Sequence, residues 1–236
     1  MKRNIGFSTG SLARGDFKRA ISILHQYKVD VIELSALREP ELPILLKALE
    51  DGLDLSKFKQ ISFHAPSKFV TLDEKTLCKM LQPIVARKWN IIVHPDMIQD
   101  PAPWRTLGHH LCIENSDPRK PVGQTATEML TYFDMLPQAS WCFDIAHAQQ
   151  VDQSMSVAVA MLANFSDRLR EIHLSRIDME GKHWALDAPM IQACRRIAQR
   201  LDPKVPIILE AVIPPQGIPD EQRHAIEALQ IETCTR

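Results

Sequence analysis

The residues best able to do chemistry in this 236-residue chain stand at the ends of short apolar runs. Trp141-Cys142-Phe143 runs into Asp144, and His147 follows three positions later. The arrangement recurs at Ile61-Ser62-Phe63-His64, Ile91-Ile92-Val93-His94, Leu111-Cys112-Ile113-Glu114, Glu171-Ile172-His173 and Ile207-Ile208-Leu209-Glu210. Singly, each has a plain explanation: an Asp at a strand end caps the next helix, and a His after an apolar run packs in the core. Six together read differently. Titratable groups facing one another without partners are costly to bury, and a cation is the simplest remedy. Imidazole and carboxylate without thiolate suit zinc first, with manganese, iron or cobalt as alternatives. A carboxylate can bridge two ions, as Glu114 would between a His64/His94 side and an Asp144/His173/Glu210 side. Two-metal centres clamp the attacking and leaving oxygens of a displacement and acidify bound water, the chemistry of phosphoester hydrolysis.

Residues so far apart in sequence meet only if the chain closes on itself. Eight strand-like runs are expected at Ile5 to Phe7, Val31 to Leu34, Ile61 to Phe63, Ile91 to Val93, Leu111 to Ile113, Trp141 to Phe143, Ile172 to Leu174 and Ile207 to Leu209. Most are separated by helical spacing, the mark of parallel βα units. The first helix is expected over Asp16 to Tyr27. In the second, opened by Pro40, Leu42, Leu45, Leu46 and Leu49 point inward and Gly52 lies past the end. A third spans Asp73 to Leu81, with Pro83 ending or kinking it. Between His94 and Leu111 stand Pro95, Pro101, Pro103 and Gly108, so the fourth helical unit is expected to shrink to a loop and a short turn. Helical spacing returns at Gln124 to Phe133, Met155 to Leu162, Pro189 to Leu201 and Glu221 to Ile231. The fold class is therefore α/β: a (β/α)8 TIM barrel, one domain over residues 1–236, with its active site at the C-terminal ends of the strands. An open doubly wound sheet would carry a Gly-rich first turn, and Ser8-Thr9-Gly10-Ser11 lacks that spacing.

A formal net charge of −1 and a pI near 6.8 remove the cheapest argument for a nucleic-acid partner, which is a basic surface. Met1-Lys2-Arg3-Asn4 leads into a strand without a signal-peptide stretch, and no apolar run is long enough to span a membrane, so a cytoplasmic location is expected. The cysteines, Cys78, Cys112, Cys142, Cys194 and Cys234, are odd in number and form no C-x-x-C pair. They read as small buried hydrophobes rather than bridges or thiolate ligands.

Three motifs, Ile113-Glu114-Asn115-Ser116, Phe143-Asp144-Ile145-Ala146-His147 and Ile172-His173-Leu174-Ser175, with Gly123-Gln124-Thr125 after the fifth run, resemble the xylose isomerase-like barrel superfamily. Within it the likeness is to endonuclease IV, the apurinic/apyrimidinic endonuclease family 2. That resemblance implies two or three divalent ions per chain. One is held by His64, His94 and Glu114, and a second by Glu114, Asp144, His173 and Glu210. A third would take His147 and an Asp-x-His pair, in which His183 fits the last position but Gly181 stands where the Asp should be; Asp178 is the possible substitute. Sugar isomerases and epimerases of the superfamily instead bind one ion through the equivalents of Glu114, Asp144, His173 and Glu210, with Glu114 and Glu210 moving protons. Their relatives also suggest that Glu33 hydrogen-bonds a substrate hydroxyl.

Two activities follow as expectations. The first is a metal-dependent hydrolase in which activated water cleaves a phosphoester of abasic DNA or a small phosphorylated molecule. The alternative is a sugar or sugar-acid isomerase or epimerase with a single ion. A multi-iron oxidase and a non-catalytic metal-binding barrel stand behind these. Lys68, Arg105, Arg119, Lys120, Arg176 and Lys182 are candidate phosphate contacts, with solvated surface charge as the plain reading. Trp104 and Trp184 could stack on a base or sugar, or cover the core. Lys68, Arg176, Trp184 and Glu33 form the expected substrate-binding set. His25, His224 and the His109-His110 pair are expected to be structural, and the loops after His64 and His94 look too short to grip a bent duplex.

Overall fold

The computed structural model describes residues 4–229. Each apolar run forms a short strand, because β-branched and aromatic residues suit a pleated chain buried on both faces. The barrel strands are β1 (Ile5–Ser8), β2 (Val31–Ser35), β3 (Gln60–His64), β4 (Asn90–Val93), β5 (Leu111–Glu114), β6 (Ser140–Asp144), β7 (Leu169–Leu174) and, later in the chain, β10 (Ile207–Leu209). All neighbours pair in parallel, and β1 lies between β10 and β2, so the sheet closes into a (β/α)8 barrel. An antiparallel hairpin, β8 (Arg176–Ile177) and β9 (His183–Trp184), follows β7.

Alternation along the strands sorts the side chains. On β6, Trp141 and Phe143 face outward, where the Trp141 ring lies 6.0 Å from Phe165 of the surrounding helices. Cys142, between them, joins Ile92 and Cys112 in a small apolar cluster separate from the main core. This floor supports the residues one step further along each strand.

Eleven helices are described: α1 (Thr9–Ala13), α2 (Phe17–Leu24), α3 (Glu41–Glu50), α4 (Glu74–Met80), α5 (Gln82–Ala86), α6 (Pro101–Trp104), α7 (Ala126–Met135), α8 (Ile145–Val151), α9 (Ser156–Phe165), α10 (Ala188–Ile197) and α11 (Ile218–Ala228). Asp16 caps α2 through the Arg19 N–H, and Thr125 and Glu128 form a reciprocal capping box on α7. On α3 the inward face is Leu42, Leu45 and Leu49, whereas Leu46 is only partly buried. The third helix ends ahead of Pro83 as expected: α4 stops at Met80, and α5 restarts at Gln82 with Pro83 in its first turn, where the missing N–H costs nothing. The fourth unit is reduced to α6 between two 3-10 turns. Two helices had no clear periodic signal, α1 and α8, each a short segment following a strand directly. The expected helix end at Ile231, the lead-in Met1-Lys2-Arg3 and Cys234 lie outside the described residues. Cys78, Cys112, Cys142 and Cys194 are buried and free. Among the described residues no helix is long and apolar enough to cross a membrane.

Candidate metal centre

Six strand ends deliver His64, His94, Glu114, Asp144, His173 and Glu210 to one point, and none of them is more than 9% exposed. Glu114 is central. Its Oε2 lies 3.2 Å from His64 Nε2 and 3.6 Å from His94 Nδ1, while Oε1 lies 3.4 Å from His173 Nδ1. Glu210 Oε1 approaches the same His173 nitrogen at 3.6 Å. Two ligand groups result, His64/His94/Glu114 and Glu114/Asp144/His173/Glu210, each with its donor atoms within 4.8 Å of one another. They share Glu114.

The remaining ring nitrogens show how the imidazoles are held. His64 Nδ1 donates to the Ala65 carbonyl at 2.7 Å, which leaves Nε2 facing Glu114 Oε2 at 3.2 Å. His173 Nε2 donates to Glu171 at 3.3 Å and lies 3.0 Å from Glu33, which leaves Nδ1 for the centre. Hydrogen-bonding the far nitrogen to a carboxylate or carbonyl is how proteins fix a metal-binding histidine. Asp144 divides its labour: Oδ1 caps α8 by accepting the His147 N–H at 2.7 Å, and Oδ2 stays without a hydrogen bond. Capping and ligation are compatible here. Asn115 clips the site together, donating to the Asp144 carbonyl at 2.8 Å and accepting the Asp144 N–H at 2.9 Å.

Burial alone would raise the Glu114 carboxyl, but the imidazoles of His94, His173 and His64 hold it well below the usual carboxylate range. Burial pushes Glu210 up to about 8, with His173 offsetting part of the effect and the Glu114 charge adding to it. Burial drives His94 down to about 3, whereas at His64 it is overcome by Glu114 and Glu33, which bring that imidazole up to about 9. The donor set fits a divalent cation on structural grounds. His94 Nδ1, Asp144 Oδ2 and His173 Nδ1 are all buried without a hydrogen-bond partner, and all belong to the two ligand groups. A third grouping, Cys142/Glu171/His173, is different. Burial raises the Cys142 thiol far above its ordinary value, so it stays neutral, and a neutral thiol is a poor ligand.

Above the centre opens a cavity of about 690 Å³. Lys68, Arg119, Lys120 and Lys182 line it, as do His147 and His183. His147 sits in the first turns of α8 with Nδ1 donating to the Asn115 carbonyl at 2.9 Å, so Nε2 faces Asp117 Oδ2 at 3.6 Å. His183, on β9, hydrogen-bonds Ser175 Oγ through Nδ1 at 2.9 Å. Other expectations meet a different arrangement. Glu33 is fully buried beneath the mouth, where it accepts from Ser35 and backs His173 rather than reaching substrate. Arg176 and Trp184 stand outside the cavity lining: Arg176 lies 3.5 Å from Asp187, and the Trp184 indole donates to Asp178 at 2.6 Å. Asp178 also accepts the Lys182 N–H at 2.8 Å, so it closes its own hairpin instead of joining His183. Trp104 is fully buried with its indole on Glu74, and Arg105 lines a separate hollow with Leu111 at the start of β5. Glu171, Asn115 and Asp117 contact the candidate ligands without having been expected among the site residues. Glu171 left a signal as a carboxylate two residues before His173 and so on the same strand face, and Asn115 as part of the motif that follows Glu114.

No protein-family model matches the chain, and no curated protein does. Solved structures do match along nearly their whole length. The zinc-bound IOLI protein aligns at TM-score 0.67 and 13% identity, covering 100% of both chains. The chain shares the (β/α)8 barrel fold of that structure. Endonuclease IV from Thermus thermophilus shares that fold at TM-score 0.63 and 16% identity over 96% of this chain and 99% of its own. A D-tagatose 3-epimerase-like protein shares it at TM-score 0.61 and 12% identity over 98% of each chain. At such identities the likeness speaks for architecture alone.

Proposed function

We propose that this barrel is a divalent-metal-dependent hydrolase that cleaves a phosphoester in a small phosphorylated molecule. The observation that carries the reading is the position of Glu114 between two ligand groups, because a single-ion isomerase has no use for both His64 and His94 on the far side of that carboxylate. Divalent ions held by these two groups would supply acidified water and neutralise charge on phosphoryl oxygens. The chain's own groups do the rest. Glu114 keeps its charge and would serve as a ligand in both groups. Glu210, brought by burial to about 8, can hold or release a proton near neutral pH. Lys68 and Lys182 at the cavity wall favour an anionic substrate. The cavity of about 690 Å³ lies in the range of small-molecule sites, roughly 300–1,000 Å³, and the net charge of −1 gives no basic track for a duplex. Likeness to endonuclease IV supports hydrolysis, and likeness to zinc-bound IOLI supports zinc.

One observation favours a second reading. Glu114 and Glu210 flank His173 with pKa values pushed in opposite directions, a pairing suited to moving protons in a sugar, and an epimerase-like protein shares the fold. The test is to load the protein with zinc or manganese and assay it on bis(p-nitrophenyl) phosphate, sugar phosphates and an abasic oligonucleotide, alongside ketose epimerisation. Phosphoester cleavage that His94→Ala abolishes is expected. Sugar turnover with no cleavage of any phosphoester would falsify the hydrolase reading.

A further inference from the structure

Beside the two ligand groups, at the outer edge of the mouth, Asp117, Arg119, His147 and His183 come together around Gly181. The resemblance to endonuclease IV places a third ion here, held by His147, His183 and a carboxylate at position 181. The structure does not fit that ion. Position 181 is a glycine with φ +82°, and a Cβ built on it would fall 0.8 Å from Arg119 Nη1 and 1.9 Å from Cζ. The guanidinium occupies the space from which the missing carboxylate would project.

Arg119 is held there firmly. Its Nε and Nη2 donate to the two oxygens of Asp117 at 2.8 and 2.6 Å, and its backbone N–H donates to the same carboxylate at 2.7 Å. Asp117 is 4% exposed, and its Oδ2 is also the oxygen 3.6 Å from His147 Nε2. The carboxylate best placed to ligate an ion with His147 is therefore already neutralised by an arginine. Asp178, the other candidate, is turned into its hairpin. A guanidinium never deprotonates, and it matches phosphate or carboxylate geometry with a planar fork.

We propose that Arg119 takes the place of a third cation: the chain binds two ions, and the guanidinium clamped by Asp117 over Gly181 is the fixed charge that holds the substrate's anionic group on the His147/His183 side. This rests on the two-ion reading of the centre. The test counts zinc by mass spectrometry after dialysis against excess zinc, and measures binding of inorganic phosphate by calorimetry, for the wild type, R119K, R119Q and the double variant R119Q/G181D. Two ions per wild-type chain are expected, with a third in R119Q/G181D, which removes the guanidinium and restores the carboxylate. R119Q should weaken phosphate binding at least tenfold without loss of zinc, and R119K, which keeps the charge and controls for folding, should retain most of it. Three ions in the wild type, failure of the folded double variant to take up a third, or unchanged phosphate affinity in R119Q overturns the inference and leaves the reading of the two ligand groups around Glu114 intact. Fewer than two ions in the wild type removes both.

Discussion

His173 Nε2 lies 3.0 Å from the Glu33 carboxylate, on a floor of the barrel that no solvent reaches. Glu171 backs the same nitrogen, so two buried carboxylates aim one imidazole at Glu114. Loss of such a supporting partner commonly costs metal affinity of about 10–100-fold. Glu33→Gln should therefore weaken zinc binding about tenfold while the fold is retained, as read by competition against a fluorescent chelator. Unchanged affinity would show that Glu171 orients the ring alone.

Asn115→Ala removes both side-chain hydrogen bonds that tie β5 to the Asp144 backbone and strands a buried N–H and a buried carbonyl. At ~1–3 kcal/mol for each unsatisfied buried group, a loss of at least about 2 kcal/mol in urea unfolding is expected. A loss well below 1 kcal/mol would mean that water enters the site freely.

The metal-free protein should lose stability as pH rises from 6.5 to 9. Glu210 and His64 both hold protons more tightly folded than unfolded, at about 8 against 4.5 and about 9 against 6.5, so the stability tied to those protons is complete at low pH and is lost as each group titrates upward. His94, depressed to about 3, acts only below 6.5 and does not oppose the trend. With zinc bound, the ions displace those protons and the fall should vanish. Melting temperatures of apo and loaded protein across this window check the sign; an apo protein that grows more stable with pH contradicts it.

The strands were legible because each is a short apolar run ended by a polar residue, and the inward alternation that makes the barrel also makes the ligands visible: His64, Glu114 and Asp144 each stand one step beyond a run. What stayed hidden has physical reasons. Glu33 and Glu171 form a second layer whose purpose depends on register across β2, β3 and β7, and register is a property of pairs of strands. Helix α8 is seven residues long, too short for a periodicity of its own, although it carries His147. Trp184 and Arg176 looked like mouth residues because the hairpin that turns them aside rests on Asp178, whose three-dimensional role has no signature in spacing.

His94→Ala should remove one ion and leave the group at Glu114, Asp144, His173 and Glu210 intact, since His94 belongs only to the other group. Zinc content should fall from two to one per chain and phosphoester hydrolysis by at least about 100-fold, in line with the loss of a metal that activates water. Retained hydrolysis with one ion would assign the chemistry to the second group alone.

Crystals of the zinc-loaded chain, measured at the zinc absorption edge, address the central claim directly. Two anomalous peaks are expected, one among His64, His94 and Glu114 and the other among Glu114, Asp144, His173 and Glu210. No peak at these residues, or a single peak that leaves His64 and His94 without a ligand role, would contradict it.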